Sequence, residues 1–278
     1  MAERLLAAGH TLTAYNRTAA KLEPLQAGIA AHPDRHFEIA PTPEIAIAAS
    51  DCVVLMLTNA EAITSVLFAA PAALKGRTVI QMGTIAPAES QTIAAQVIAA
   101  GGSYLEAPVL GSIPEAKAGT LIVMVGAEPE QFDQWLPILQ VLGTDPVLLG
   151  PVGAAAAVKL ALNQLIGSLT TAFALSLGLV QRQGVEVDAF MQIVRKSALY
   201  APTFDKKLAR MLARNYDSPN FPTKHLKKDM ELFITTAIAA NLRPDSVTGV
   251  SQVLTAAIDQ GLAEGDYAAL FSVICPEE

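Results

Sequence analysis

Two cysteines, Cys52 and Cys275, are too few for a disulfide framework. Cys52 lies in the apolar run Cys52–Leu57, where a buried reduced thiol is the ordinary outcome. No basic-then-apolar leader opens the sequence, so the cytoplasm is the expected location. Charge is scarce as well: 16% of the 278 residues are charged and 52% are hydrophobic. That balance excludes a disordered chain and supplies apolar material for one large or two medium cores. Positive charge is the scarcer sign, 19 Lys and Arg against 26 Asp and Glu, which argues against nucleic-acid binding. Basic residues still gather late in the chain. Arg195, Lys196, Lys206, Lys207, Arg210, Arg214, Lys224, Lys227 and Lys228 stand against Asp205 and Asp217. Most are expected on solvated helix faces, and a subset can attract an anionic ligand. His10, His32, His36 and His225 are scattered and form no ligand cluster, so no metal is expected.

Charge is missing altogether from Leu160 to Val180, and about 20 apolar residues can span a bilayer. The stretch nevertheless carries Asn163, Gln164, Ser168, Thr170, Thr171 and Ser176, and it lacks a strongly basic flank or interfacial Trp and Tyr. A helix buried inside a protein or at a subunit interface is expected, and no membrane.

The first 150 residues alternate strand-like and helix-like runs. Thr11–Tyr15, Cys52–Leu57, Thr78–Met82, Tyr104–Val109 and Leu121–Val125 are short, apolar and often β-branched, as strands are. Helices are predicted over 17–28, 43–49, 60–73 and 87–100, with Pro43, Pro87 and Pro129 suited to first turns. Such alternation predicts a parallel sheet covered on both faces. From Val152 to about Arg182 one long helix is predicted. Beyond it the chain is helical, with breaks at Gln183-Gly184, Asn215–Pro222, Arg243-Pro244 and Gly261–Asp266. An α/β domain over 1–150 and a helical domain over 151–278 follow.

Four constellations bear on chemistry. After the strand ending at Tyr15 come Asn16, Arg17 and Thr18. In a dinucleotide-binding unit an acidic residue there favours NAD, whereas an Arg accommodates the extra phosphate of NADP. A plain turn with a solvated Arg reads the same way. The second is Gly150-Pro-Val-Gly153 leading to Lys159 and Asn163, which share a helix face at i,i+4. Burial lowers a lysine pKa toward the range of a general acid, and an amide can orient the ammonium without neutralising it. A lysine snorkelling from an exposed helix start is the alternative. The third runs from Glu106-Ala-Pro-Val through Leu110, Gly111 and Ser112, a turn whose backbone N–H groups suit a small carboxylate. The fourth is Phe221-Pro-Thr-Lys224-His225 followed by Lys228 and Asp229, which can equally be an ordinary surface pair.

Taken together, and in this order along nearly the whole chain, these residues resemble the β-hydroxyacid dehydrogenase family. That family includes 3-hydroxyisobutyrate dehydrogenase, tartronate semialdehyde reductase and the glyoxylate/succinic semialdehyde reductases. Glu106 to Ser112 matches the family's substrate signature, and Gly150 to Asn163 its catalytic one. Met82-Gly83-Thr84 and the Leu57-Thr58 segment match its cofactor-contacting turns, and Lys228-Asp229 its late Lys-Asp pair. The glyoxylate/succinic semialdehyde type is the nearest in Asn16-Arg17-Thr18, Glu106-Ala-Pro-Val and Phe221-Pro-Thr-Lys-His.

The resemblance implies a Rossmann-like domain, then a helical domain that pairs subunits into a homodimer or homotetramer. It implies NADPH as hydride donor to a small aldehyde or keto acid. Lys159 would donate the proton, or act as base in reverse, with Asn163 orienting it. Asn16, Arg17, Thr18, Leu57, Thr58, Thr84 and Lys228 would hold the cofactor; Leu110, Gly111, Ser112, Phe221 and Asp229 would hold the substrate. Two other readings share the fold: an NADPH-dependent imine reductase, and a non-catalytic dehydrogenase-like module for oligomerisation or binding. Both typically lack the lysine.

The sequence departs from the family twice. Leu110 stands where the family has a serine, making the pocket more apolar. The second departure is at the start, where Met1–Ala8 already resembles the middle of the first Rossmann helix. No first strand with its G-x-G-x-x-G turn is present. A start about 15–20 residues late, a strand plus a turn, is expected to weaken NADPH binding and to favour aggregation.

Overall fold

A computed structural model describes residues 1–29 and 35–277; His32 lies outside them. The chain divides into two compact units, Met1–Lys159 and Leu160–Glu278. The first holds strands β1 (Leu12–Ala14), β2 (Phe37–Ile39), β3 (Cys52–Leu55), β4 (Thr78–Gln81), β5 (Ser103–Glu106), β6 (Val109–Leu110), β7 (Ile122–Gly126) and β8 (Val147–Gly150). Its helices are α1 (Ala2–Ala7), α2 (Glu23–Ile29), α3 (Pro43–Ala48), α4 (Ala60–Leu67), α5 (Pro87–Ala99), α6 (Ile113–Ala118) and α7 (Pro129–Leu142).

The expected Rossmann-like α/β unit followed by a helical one is what the chain forms. β3, β4 and β5 are parallel neighbours, and Val79 and Tyr104 alternate with Ile80 and Leu105. Successive strand residues face opposite sides. Val79 and Tyr104 accordingly join the cluster of Ile47, Ile63, Leu67 and Ile93, whereas Ile80 and Leu105 join Leu5, Leu139 and Leu142. Both faces are covered, which is why these strands read as continuous apolar runs.

Two features of the sheet differ from a uniformly parallel one. β7 runs antiparallel to β5 and to β6, and β8 is parallel to β7. β1 and β2 form a separate two-stranded parallel sheet. In a doubly wound half the strand order is 3-2-1. Among the described residues no strand pairs with the other edge of β1 or the free edge of β3, so the two sheets are not joined into that order.

Proline explains two local differences. The predicted 104–109 strand stops at Glu106 because Pro108 has no N–H for the ladder, and β6 begins beyond it. The predicted 60–73 helix ends at Leu67, and a 3-10 turn over Pro71–Leu74 follows. Likewise 17–28 divides into a 3-10 turn, Ala19–Leu22, and α2. Burial pushes the Cys52 thiol up to about 12, so it stays protonated.

The second unit is helical: most of α8 (Ala154–Arg182), then α9 (Val187–Lys196), α10 (Pro202–Ala213), α11 (Thr223–Ala239), α12 (Asp245–Asp259) and α13 (Leu270–Ile274). The four predicted breaks all fall between helices; a fifth, Ser197–Ala201, separates α9 from α10. The core gathers Phe173, Met191, Phe204, Met211, Leu226, Met230, Leu254 and Phe271, with Phe173 stacked on Phe204 at 4.6 Å. A buried Lys207–Asp266 pair, 2.8 Å apart, ties α10 to the turn before α13. Helix α8 is long and apolar enough to cross a membrane. Asn163, Thr170, Phe173, Ala174 and Leu177 are buried on one stripe, while Leu165, Leu169, Leu175 and Leu179 are exposed.

Candidate functional site

The residues singled out in the first unit gather at the C-terminal ends of its strands, where open α/β sheets bind ligands. Beyond β1, the Asn16 side-chain oxygen accepts from the Thr18 amide at 2.9 Å, fixing the turn. Arg17 and Thr18 are exposed and no carboxylate shares the turn. Beyond β3, Leu57 is half-buried and Thr58 exposed, and the Asn59 side chain caps α4 through the Ala62 amide at 2.9 Å.

Beyond β4, the buried Gln81 side chain grips the Met82-Gly83-Thr84 turn. It accepts from the Gly83 amide and donates to the Gly83 carbonyl at 3.1 Å. A Cβ at Gly83 would collide with the Leu57 carbonyl oxygen, so only glycine allows these two turns to approach this closely. Thr84 is half-buried beside them.

Glu106, at the end of β5, is fully buried. One carboxylate oxygen accepts from the amides of Gly153 (2.8 Å) and Ala156 (3.0 Å), in the opening turn of α8. The other accepts from the Ser90 hydroxyl at 2.5 Å, and Ser90 is 2.8 Å from the Tyr104 hydroxyl. Burial pushes the Tyr104 phenol up, so it stays neutral. Sequence reasoning placed Glu106 in a signature without a role. The signal was a charge inside an otherwise apolar strand.

Leu110 is half-buried on β6 and Gly111 exposed, with φ +131°. Ser112 presents neither donor freely: its amide (2.8 Å) and hydroxyl (3.2 Å) both face the Glu115 carboxylate, a reciprocal cap on α6. An acid bound by Ser112 must displace Glu115.

Lys159 keeps only 9% of its surface exposed, so it does not snorkel into solvent from the start of α8. One turn on, in the second unit, Asn163 is buried, and its amide nitrogen donates to the Asp229 carboxylate of α11 at 2.6 Å. A carboxylate only accepts, so the Asn163 NH2 must face Asp229 and its carbonyl oxygen must point elsewhere; that oxygen is buried, with no hydrogen-bond partner among the described residues. Asp229 is therefore no surface residue. Lys228 stands 3.0 Å from it and is the half-exposed member. Phe221, at the mouth of α11, packs edge-on against Tyr267 at 5.8 Å.

These residues fit a pyridine nucleotide in part. The carboxylate-free Asn16-Arg17-Thr18 turn suits a ribose 2′-phosphate. A G-x-G-x-x-G cradle for the pyrophosphate does not occur in the sequence. Among the described residues, no group of three His, Cys, Asp or Glu is placed to hold a metal.

Family models match both units. Residues 1–152 match the NAD binding domain of 6-phosphogluconate dehydrogenase. Residues 153–274 match the domain described as NAD-binding of NADP-dependent 3-hydroxyisobutyrate dehydrogenase. The chain belongs to the β-hydroxyacid dehydrogenase family of pyridine-nucleotide-binding oxidoreductases. It is 29% identical to glyoxylate/succinic semialdehyde reductase 2 of Arabidopsis thaliana, over 99% of this chain and 75% of that one. It is also 29% identical to 2-hydroxy-3-oxopropionate reductase of Escherichia coli, over 81% and 78%. A solved 3-hydroxyisobutyrate dehydrogenase from Salmonella typhimurium shares the fold, with a TM-score of 0.86 at 23% identity over 98% and 94%.

Proposed function

We propose that the protein is an NADP(H)-dependent reductase of a small aldehyde or keto acid, of the glyoxylate, succinic semialdehyde or 3-hydroxyisobutyrate type, with Lys159 as proton donor. The observation that carries this reading is the buried Lys159 on α8, followed one turn later by an asparagine whose amide is fixed by Asp229. A buried ammonium is costly unless it is paired or used, and a positioned ammonium is the group a carbonyl reductase needs. When bound, the dihydronicotinamide supplies the hydride that reduces the carbonyl carbon. Lys159 donates its proton to the carbonyl oxygen; in the oxidative direction it takes that proton back as base. Asn163 orients the lysine or the substrate oxygen, and Asp229 keeps the Asn163 amide from turning over. Arg17 and Thr18 hold the 2′-phosphate; Leu57, Thr58, Thr84 and Lys228 hold the nicotinamide side. Leu110, Gly111, Ser112 and Phe221 bound the acid, and Leu110 makes that end apolar.

The relatives' names support a small hydroxy-acid substrate. An imine reductase or a non-catalytic module fits less well, because neither needs Lys159. The exposed leucine stripe of α8 supports a homodimer or homotetramer formed through the helical unit. The scarce cysteine supports the cytoplasm. The test is a panel of glyoxylate, succinic, tartronate and methylmalonate semialdehydes, each with NADPH and with NADH, followed at 340 nm. NADPH oxidation with at least one acid is expected; none with any acid would overturn the reading.

A further inference from the structure

We propose that Glu106 is a positioning residue for Lys159, acting by clamping the first turn of α8; this rests on the reductase reading above. A helix leaves its first four amides without internal partners, and its N-terminus favours negative charge. In α8 two of the opening amides, Gly153 and Ala156, converge on a single Glu106 oxygen at 2.8 and 3.0 Å. Ala156 and Lys159 are i,i+3, on one face, and a helical side chain leans toward the turn N-terminal to it. The turn that Glu106 grips is therefore the one that the lysine lies over.

The other Glu106 oxygen is held by Ser90 of α5, and α5 starts directly after the Met82-Gly83-Thr84 turn. One carboxylate thus fixes the lysine's helix relative to the segment assigned to the nicotinamide side. Space is kept for it: Gly126 of β7 lies opposite Glu106, and a Cβ there would strike the carboxylate. A fully buried charge is a costly way to hold a helix when a neutral cap would do, and the cost is offset here by three hydrogen bonds to one side chain.

The experiment compares Glu106→Gln, Glu106→Ala and Lys159→Ala in the full chain. Glutamine can still accept both amides through its oxygen while its NH2 donates to Ser90, so Glu106→Gln should stay within about threefold of the parent. Glu106→Ala should lower kcat by roughly 10- to 100-fold, the scale of a misplaced catalytic group, with KM values changed less than about threefold. Because Glu106 acts through the lysine, adding Glu106→Ala to Lys159→Ala should lower kcat by less than about twofold. Hydrogen exchange read without substrate should show the Gly153 and Ala156 amides exchanging at least about tenfold faster in Glu106→Ala and not in Glu106→Gln. Should Glu106→Ala fail to fold, Gly126→Ala, which crowds the carboxylate, must show the same pattern. Unchanged exchange, or losses that multiply with Lys159→Ala, would overturn the proposal. A parent without reductase activity overturns the reductase reading and the lysine-positioning role with it; the exchange measurement then shows whether the clamp itself was correctly assigned.

Discussion

Asp229→Ala removes the carboxylate that accepts from the Asn163 NH2, at 2.6 Å and inside a buried pair. A hydrogen bond to a charged group contributes about 1.5–3 kcal/mol, and a buried amide left without a partner bears its full desolvation cost. Lys228 softens none of this, since it is half-exposed and is rehydrated once the carboxylate is gone. With a urea m-value near about 3 kcal/mol/M, the upper end of the usual range, the unfolding midpoint should fall by about 0.5–1 M. Asp229→Asn is the control: its side-chain oxygen still accepts from Asn163, so it should lose less than half as much. The assay is equilibrium urea unfolding by circular dichroism on parent, Ala and Asn variants. A midpoint for Asp229→Ala indistinguishable from the parent, or an Asn variant as damaged as the Ala variant, would refute the reasoning.

Arg17→Ala should erode the preference for NADPH over NADH by roughly 10- to 100-fold, since charge-assisted bonds to a phosphate are worth about 1.5–3 kcal/mol. Equal efficiency with both cofactors in the parent would contradict the assignment of that turn. Leu110→Ser should improve use of glyoxylate modestly, by the roughly 0.5–1.5 kcal/mol of one neutral hydrogen bond; a loss with every small acid would show a pocket built around leucine.

Periodicity carried most of the fold into view. Val79-Ile80 and Tyr104-Leu105 read as buried strands because both faces of the sheet are covered. The Gly and Pro breaks of the helical half were visible because those residues cannot continue a helix. What stayed hidden was short or non-local. β2 has three residues with none fully buried, so it carries no apolar signature. β8, Val147–Gly150, is apolar in sequence but only four residues long, and Val147 and Leu149 are exposed. The antiparallel entry of β7 beside β5 rests on the single pair Glu106 and Gly126, which no local pattern announces. At the site, Lys159 and Asn163 were legible as one helix face. The partner of Asn163 was not, because Asp229 lies 66 residues away and sits beside a lysine that suggests a surface pair. The amides clamped by Glu106 are 47 and 50 residues distant, and only a tertiary structure joins them.

The most direct test of proton donation by Lys159 is the kcat of Lys159→Ala with NADPH and the best acid of the panel, measured beside circular dichroism of the same sample. Loss of a general acid costs at least about 100-fold in turnover, and an alanine on α8 should leave the helical spectrum intact. A fall of that size in a folded protein is the predicted result. Near-normal turnover with any substrate that the parent reduces would contradict the account.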